Sequence, residues 1–96
     1  MPRQQPLYLA IYDVTDDKER GKLADLLESF GFRIQKSAFE LRLNATLRCH
    51  LRRKLKDLKL DSGWIFLYRV DERSPREGVG KMPAPGFSQT DHAFVA

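Results

Sequence analysis

The chain has 96 residues, 42% of them hydrophobic and 31% charged, which is typical of one small globular domain and excludes a disordered chain. Its single cysteine, Cys49, excludes an internal disulfide and a cysteine-rich zinc site. The net charge of +4 favours a polyanionic partner.

The chain begins with a short polar extension, residues 1–6, that does not resemble a signal peptide. No apolar run approaches the length of about 18 residues that a membrane-spanning helix requires. We therefore expect a cytoplasmic protein without a membrane partner.

A strand and a helix follow this extension. Leu7–Val14 is a nearly continuous apolar run, the pattern of a strand buried on both faces. Asp16 is a suitable N-cap for the helix, and Glu19, three residues later, completes the spacing of a capping box. The apolar stripe of this helix comprises Leu23, Leu26, Leu27 and Phe30. Gly31 is predicted to end the helix as its C-terminal cap.

The segment Phe32–Leu43 alternates like an extended chain but is long for one strand. We predict two short strands or a bent hairpin, with the break between Lys36 and Glu40.

A second helix and a last strand complete the domain. Asn44 or Thr46 caps the helix, Asp61–Gly63 forms a turn, and Trp64–Val70 is an apolar strand. The inner face of this helix comprises Leu47, Leu51, Leu55 and Leu58.

The order strand, helix, strand, strand, helix, strand predicts an α+β fold, the ferredoxin-like βαββαβ arrangement, over residues 7–70. Two helices would cover one face of an antiparallel sheet and leave the other face apolar and bare. A bare apolar face in so small a protein predicts a partner, and the small size of the chain favours a two-fold homodimer. The segment 71–96 is expected to add one or two C-terminal strands that pair with a neighbouring chain.

Asp13 ends the first buried strand and is the first candidate for chemistry. Its carboxylate either braces the turn or binds a hard cation such as Mg²⁺, which prefers oxygen ligands. One carboxylate is a poor metal site, but a two-fold axis near Asp13 would bring two copies together. A metal held there could activate water to attack a phosphodiester.

The second candidate is the basic helix, which carries six of the cations and one acid between Asn44 and Leu60. Its ribbon of candidate nucleic-acid-binding residues comprises Arg48, Arg52, Lys56 and Lys59, with Arg53 further round. Such a face is either solvated or binds phosphates without reading base sequence.

Two segments, Tyr12–Arg20 (YDVTDDKER) and Gly31–Glu40 (GFRIQKSAFE), resemble the small CRISPR-associated protein family that partners the spacer integrase. The resemblance covers Leu7–Val70. It implies a role in spacer acquisition, part of antiviral defence, as a homodimer. It further implies that Asp13 binds Mg²⁺ or another divalent cation and supports endonuclease cleavage of single-stranded RNA or duplex DNA. The other site residues implied by the same match are Tyr12, Arg20, Arg33, Ser37 and Phe39.

Two alternatives remain open. Some family members act as a non-catalytic adaptor that holds duplex DNA for the integrase, and a toxin-like family of RNA interferases shares the fold. In relatives the C-terminal strands contact the partner protomer or dock the integrase, which is the role expected for residues 71–96.

Overall fold

The structure, a computed structural model, describes residues 5–74 and 77–81. Its elements are β1 (Leu7–Val14), α1 (Asp17–Glu28), β2 (Gly31–Gln35), β3 (Ala38–Arg42), α2 (Ala45–Asp57) and β4 (Gly63–Arg69). The strands form one antiparallel sheet in the order β2-β3-β1-β4. This confirms the predicted ferredoxin-like α+β fold.

One face of the sheet packs against both helices. Along β1 the side chains alternate, and every second residue, from Tyr8 to Val14, points into the core that the helices cover. The largest fully buried side chains are Phe39, Leu23, Leu27, Leu41, Leu43 and Leu51. Leu51 is the buried residue of α2, and the other predicted inner leucines of this helix pack partly buried against the core.

The opposite sheet face, which we call the open face, exposes large apolar side chains along β4 and at Phe32 of β2, whereas Glu40 of β3 is buried on the same face. The register pairs Leu9 with Tyr68, Ile11 with Phe66 and Asp13 with Trp64. The β4 aromatics are about half exposed and form a ladder, with ring centroids 5.1 Å apart for Trp64 and Phe66. Leu9 and Ile11 are only half-buried, so the part of the chain that the structure describes does not fully cover the middle of β1 on this face.

The prediction that Gly31 caps α1 is wrong. The C-cap is Ser29, whose backbone N–H bonds carbonyls of the last helical turn, and Gly31 is the first residue of β2. A glycine is required at position 31 because the two strands approach closely there. An added Cβ would lie 2.1 Å from the backbone oxygen of Glu40.

The hairpin and the second cap agree with the sequence analysis. The break between β2 and β3 is the two-residue turn at Lys36 and Ser37, at the start of the predicted interval. Asn44, rather than Thr46, caps α2 by accepting a hydrogen bond of 2.7 Å from the N–H of Leu47.

Lys59 does not extend the basic ribbon along α2, which is a correction to the sequence analysis. The helix ends at Asp57, and Lys59 adopts a left-handed conformation with φ of 51° beyond the cap. The left-handed residue turns the chain out of the helix, so the helical part of the ribbon is Arg48, Arg52 and Lys56.

The last segment is described only in part. Residues 71–74 and 77–81 contain no strand, and the rest of the segment in which C-terminal strands are predicted, including residues 82–96, lies outside the described residues. Within the described ranges, neither helix is long and apolar enough to cross a membrane. The cytoplasmic location stays a prediction.

Candidate functional site

A cleft of about 650 Å³ opens where β1 ends. Its lining includes most of the site residues expected from the sequence, which come from β1, α1, β2 and the β2–β3 turn. The lining residues are Tyr12, Asp13, Val14, Asp17, Arg20, Gly21, Ala24, Arg33, Lys36 and Ser37.

Asp13 is the exposed carboxylate of this cleft. The alternation of β1 places it on the open face, at the strand end that pairs with Trp64. Among the described residues, no side chain hydrogen-bonds or forms an ion pair with the Asp13 carboxylate. The carboxylate is therefore not committed to bracing the turn and presents its oxygens to solvent.

Tyr12 fastens the β2–β3 turn to β1. It is buried, and its hydroxyl donates a hydrogen bond of 2.9 Å to the carbonyl of Lys36. Its backbone N–H donates to the carbonyl of Ser37 at 3.1 Å. These bonds hold the turn beside Asp13, so Tyr12 shapes the cleft wall.

Phe39 lies beneath the cleft rather than in its lining. Its ring is fully buried and stacks on Tyr12 at a centroid distance of 6.3 Å. The guanidinium of Arg33 lies 5.3 Å from the same ring, a cation–π distance. Arg33 also has a long ion pair of 3.8 Å with Glu28, so its guanidinium stays partly exposed at the cleft.

Arg20 secures the loop after β1. Its guanidinium donates to the carbonyls of Val14 at 3.1 Å and Thr15 at 3.2 Å, and it pairs with Asp17. The bonds keep the turn from strand to helix closed next to Asp13. A cation here partly balances the two acids of the cleft.

Lys36 lines the cleft but is not among the site residues predicted from the sequence. It stands in the β2–β3 turn, where its charge adds to that of Arg33 at the rim of the cleft. The sequence places this turn only to within a few residues, so its side chains could not be assigned to a surface. The catalytic roles of the residues named from the resemblance stay predictions.

The basic helix borders a second cavity of about 470 Å³ between α2 and β4. Arg48, Arg52 and Lys56 line it together with apolar side chains of the sheet and of α2. Arg53 lies further round, beside Cys49. Three cations on one helix flank next to an apolar strip form a surface suited to a nucleic-acid backbone.

Within the described residues, no group of three or more His, Cys, Asp or Glu side chains could hold a metal ion. The oxygen donors of Asp13 suit a hard cation, yet one carboxylate per chain is too few. The residues fit a divalent cation only where a second copy supplies another Asp13.

The comparisons with known proteins identify the family. Residues 6–77 match the family model described as "CRISPR associated protein Cas2". The chain belongs to the Cas2 family.

Two relatives from Thermus thermophilus illustrate the similarity. The chain is 51% identical over 77 residues to a "CRISPR-associated endoribonuclease Cas2" of this organism, and the match covers 78% of both chains. It is 43% identical over 79 residues to a "CRISPR-associated endonuclease Cas2 2" from another strain, covering 80% of this chain and 87% of the relative.

A solved structure described as a "Partial Cas6-RT-Cas1--Cas2 complex" contains a similar chain. The TM-score is 0.57 at 29% identity, and the match covers 74% of this chain and 79% of that one. The family resemblance inferred from the sequence is therefore confirmed.

Proposed function

We propose that this Cas2-family chain is an endonuclease of CRISPR spacer acquisition that cleaves phosphodiesters as a two-fold homodimer. The observation that carries the proposal is the exposed Asp13 carboxylate, which has no side-chain partner among the described residues and lies in a cleft rimmed by Arg33 and Lys36. The printed names of the relatives, endoribonuclease and endonuclease, support it.

The residues in and beneath the cleft have different proposed roles. Asp13 supplies the carboxylate at the reacting centre, while Arg33 and Lys36 attract and orient a phosphate. Tyr12 and Phe39 are buried, so they support the cleft wall rather than touch substrate. Arg20 holds the loop after β1 closed, and Ser37 stands in the turn that Tyr12 fastens.

A divalent cation such as Mg²⁺ completes the proposed centre. The Asp13 carboxylates of two protomers would hold it, because a cation offsets the repulsion between two like charges. When bound, it would neutralise phosphate charge and make water a better nucleophile.

The homodimer is proposed from the open face. Phe32, Trp64, Phe66 and Tyr68 expose large apolar surface there, next to Asp13. Burying this surface against a second copy removes it from water, which is the main driving force of association.

The test is cleavage of labelled single-stranded RNA and duplex DNA, with and without Mg²⁺, by wild type, Asp13→Asn and Asp25→Ala. Asp25 is an exposed acid on α1 outside the cleft and serves as the control. We expect Mg²⁺-dependent cutting that Asp13→Asn abolishes and Asp25→Ala keeps. Equal cutting by Asp13→Asn contradicts the proposal, and the preferred substrate identifies RNA or DNA as the target.

A second candidate function is a non-catalytic adaptor that holds duplex DNA for Cas1. The similarity to a chain of a Cas1–Cas2 complex and the basic flank of α2 favour it. Duplex binding by wild type with no cutting on any substrate would favour the adaptor over the nuclease. No observation favours an RNA interferase outside CRISPR, since the matching family is CRISPR-associated.

The segment 71–96 is proposed to contact the partner protomer or Cas1. Co-purification of Cas1 with the full chain and with a chain that ends at Lys81 tests this. Retained dimerisation and retained Cas1 binding by the shorter chain would contradict the role.

A further inference from the structure

The turn between α2 and β4 is bonded to the loop that follows Asp13. Thr15 donates both its backbone N–H and its hydroxyl to the carbonyl of Ser62, each at 3.2 Å. The N–H of Asp16 donates to Oγ of Ser62 at 2.9 Å. The hydrogen bonds to Ser62 thus connect the turn before β4 to the loop that follows β1.

Glu19 holds the same turn from the other side. One oxygen, Oε1, accepts hydrogen bonds from the N–H of Asp61 at 3.0 Å, the N–H of Ser62 at 3.0 Å and the hydroxyl of Ser62 at 2.9 Å. Three donors from a distant part of the chain therefore converge on a single carboxylate oxygen of α1.

These bonds modify the capping box that the sequence predicts. One half forms as expected, because Oδ2 of Asp16 accepts from the N–H of Glu19 at 2.9 Å. In the other half the Ser62 hydroxyl lies between the two residues, accepting from Asp16 and donating to Glu19. The helix start and the turn before β4 consequently form one hydrogen-bonded unit.

The turn continues directly onto the backbone of Asp13. Gly63, the next residue, pairs with Val14 in the sheet. A Cβ on Gly63 would lie 1.8 Å from the backbone oxygen of Asp13, so the two backbones are in close contact. A displacement of Ser62 and Gly63 would therefore move Asp13.

We propose that Glu19 and Ser62 are positioning residues for Asp13. Through the turn of residues 61–63 they hold the end of β1 so that the Asp13 carboxylate faces the cleft. Neither residue lines the cleft, so both act through Asp13 and not on substrate. The inference rests on the proposed role of Asp13 in cleavage.

The test compares Glu19→Ala, Glu19→Gln, Ser62→Ala and the control Asp25→Ala. A glutamine keeps an oxygen that accepts all three hydrogen bonds, whereas an alanine keeps none. Two quantities are measured. The first is Mg²⁺-dependent cleavage of the substrate that wild type prefers, and the second is the backbone amide signals and hydrogen exchange of Asp13–Asp16 without substrate or metal. The second readout is independent of any activity.

We expect Glu19→Ala and Ser62→Ala to reduce cleavage about 10- to 100-fold, the usual effect of removing a residue that orients a site group. Both should also shift the Asp13 and Val14 signals and speed the exchange of the Thr15 and Asp16 amides. Glu19→Gln and Asp25→Ala should resemble wild type in both measurements. Ser62→Ala removes only a hydroxyl and provides the test if Glu19→Ala does not fold.

The failures of the two proposals are distinguishable. If Asp13→Asn abolishes cleavage but folded Glu19→Ala and Ser62→Ala cut like wild type, the positioning role is wrong and the nuclease stands. If wild type does not cut, the nuclease fails, and unchanged Asp13 and Val14 signals in both variants would then overturn the positioning role as well.

Discussion

Tyr12 and Asp13 are adjacent in β1 but point to opposite faces of the sheet, and this separates their roles. Tyr12 is 3% exposed and bonds the β2–β3 turn, whereas Asp13 is exposed to solvent. A buried neighbour with a fixed hydrogen bond gives the exposed carboxylate a rigid backbone. Rigid support of this kind keeps a reacting group in place.

The hydroxyl of Tyr12 is expected to contribute to stability. Tyr12→Phe keeps the ring on Phe39 but removes the hydrogen bond to the Lys36 carbonyl, which should lower the free energy of unfolding by about 1 kcal/mol. Urea denaturation measures the change. Tyr8→Phe is the control, because Tyr8 is also buried on the core side of β1 but its hydroxyl makes no hydrogen bond within the described residues, so the change in stability should be less than about 0.5 kcal/mol. Equal effects of the two substitutions would contradict the prediction.

Glu19 is expected to make stability depend on pH in the acid range. The hydrogen bond from the Ser62 backbone, followed by those from the Ser62 hydroxyl and Asp61, holds the pKa of Glu19 below its ordinary value, against burial and the nearby Asp16. Because the folded state favours the carboxylate, the stabilisation is present above the ordinary glutamate pKa of about 4.3 and is lost as pH falls through the lower folded pKa.

Thermal unfolding of wild type and Glu19→Gln across this range measures the effect. The difference between their unfolding free energies should be constant near neutral pH and should change as the solution becomes acidic. Glu28→Gln on the same helix is the matched control, since Glu28 forms a long ion pair with Arg33 rather than a set of short hydrogen bonds. A difference that does not vary between neutral and acidic pH would show that Glu19 is not held as a carboxylate.

Two glycines near α1 differ in whether the space around them would admit a side chain. Gly21 lies inside the helix, and an added Cβ would meet nothing within 4 Å. Gly31 starts β2, where a Cβ would lie 2.1 Å from the Glu40 oxygen and 2.6 Å from a methyl of Leu41. Packing therefore does not require a glycine at position 21 in the helix, whereas close packing does require one at position 31 in the strand.

Alanine at these positions should have opposite effects. Gly21→Ala should stabilise the protein by about 1 kcal/mol, the difference in helix propensity. Gly31→Ala should destabilise it by about 1–3 kcal/mol, the usual cost of overpacking. Chemical denaturation of both variants measures the two signs, and a destabilising Gly21→Ala would mean that the cleft-lining position is constrained by something other than helix propensity.

The basic flank of α2 is expected to bind duplex DNA through phosphates. Replacing Arg48, Arg52 and Lys56 by alanine should weaken binding and reduce the salt slope by about one for each phosphate that is no longer neutralised. Fluorescence anisotropy at several salt concentrations measures the slope. A variant with alanine at Lys18, Lys22 and Lys81 removes the same charge from exposed positions elsewhere. An equal reduction of the slope in that control would mean that only net charge matters.

At the scale of the whole molecule, the open face is expected to hold two copies together. Phe66 is 55% exposed at the centre of the aromatic ladder, so Phe66→Glu should place a charge in the interface and give a monomer. His50→Glu is the control, because His50 is exposed on α2, the helix that packs on the opposite face of the sheet. Sedimentation velocity measures the masses, and a monomeric wild type would contradict the dimer.

The six elements were predictable from the sequence because each depends on local chemistry. The apolar run of β1, the Asn44 cap and the leucine spacing of α2 are properties of neighbouring residues. Two predictions were wrong. Gly31 was predicted to cap α1, but it starts β2 against a distant strand, and Lys59 was predicted to continue the basic ribbon, but it lies beyond the end of α2. The position of Asp13 at a strand end, by contrast, follows directly from the apolar run that precedes it.

The fold class, the family and the candidate carboxylate were predictable from the linear chain, since periodicity and motif order are properties of the sequence. Three features emerge only in the folded chain: which side chains line the cleft, the support of the cleft by Tyr12 and Phe39, and the hydrogen bonds of Ser62 to both Glu19 and Asp16. Ser62 lies 43 residues from Glu19 in the chain, so no local pattern brings the two together. Only the pairing of β4 with β1 does so, because it places the turn before β4 against the start of α1.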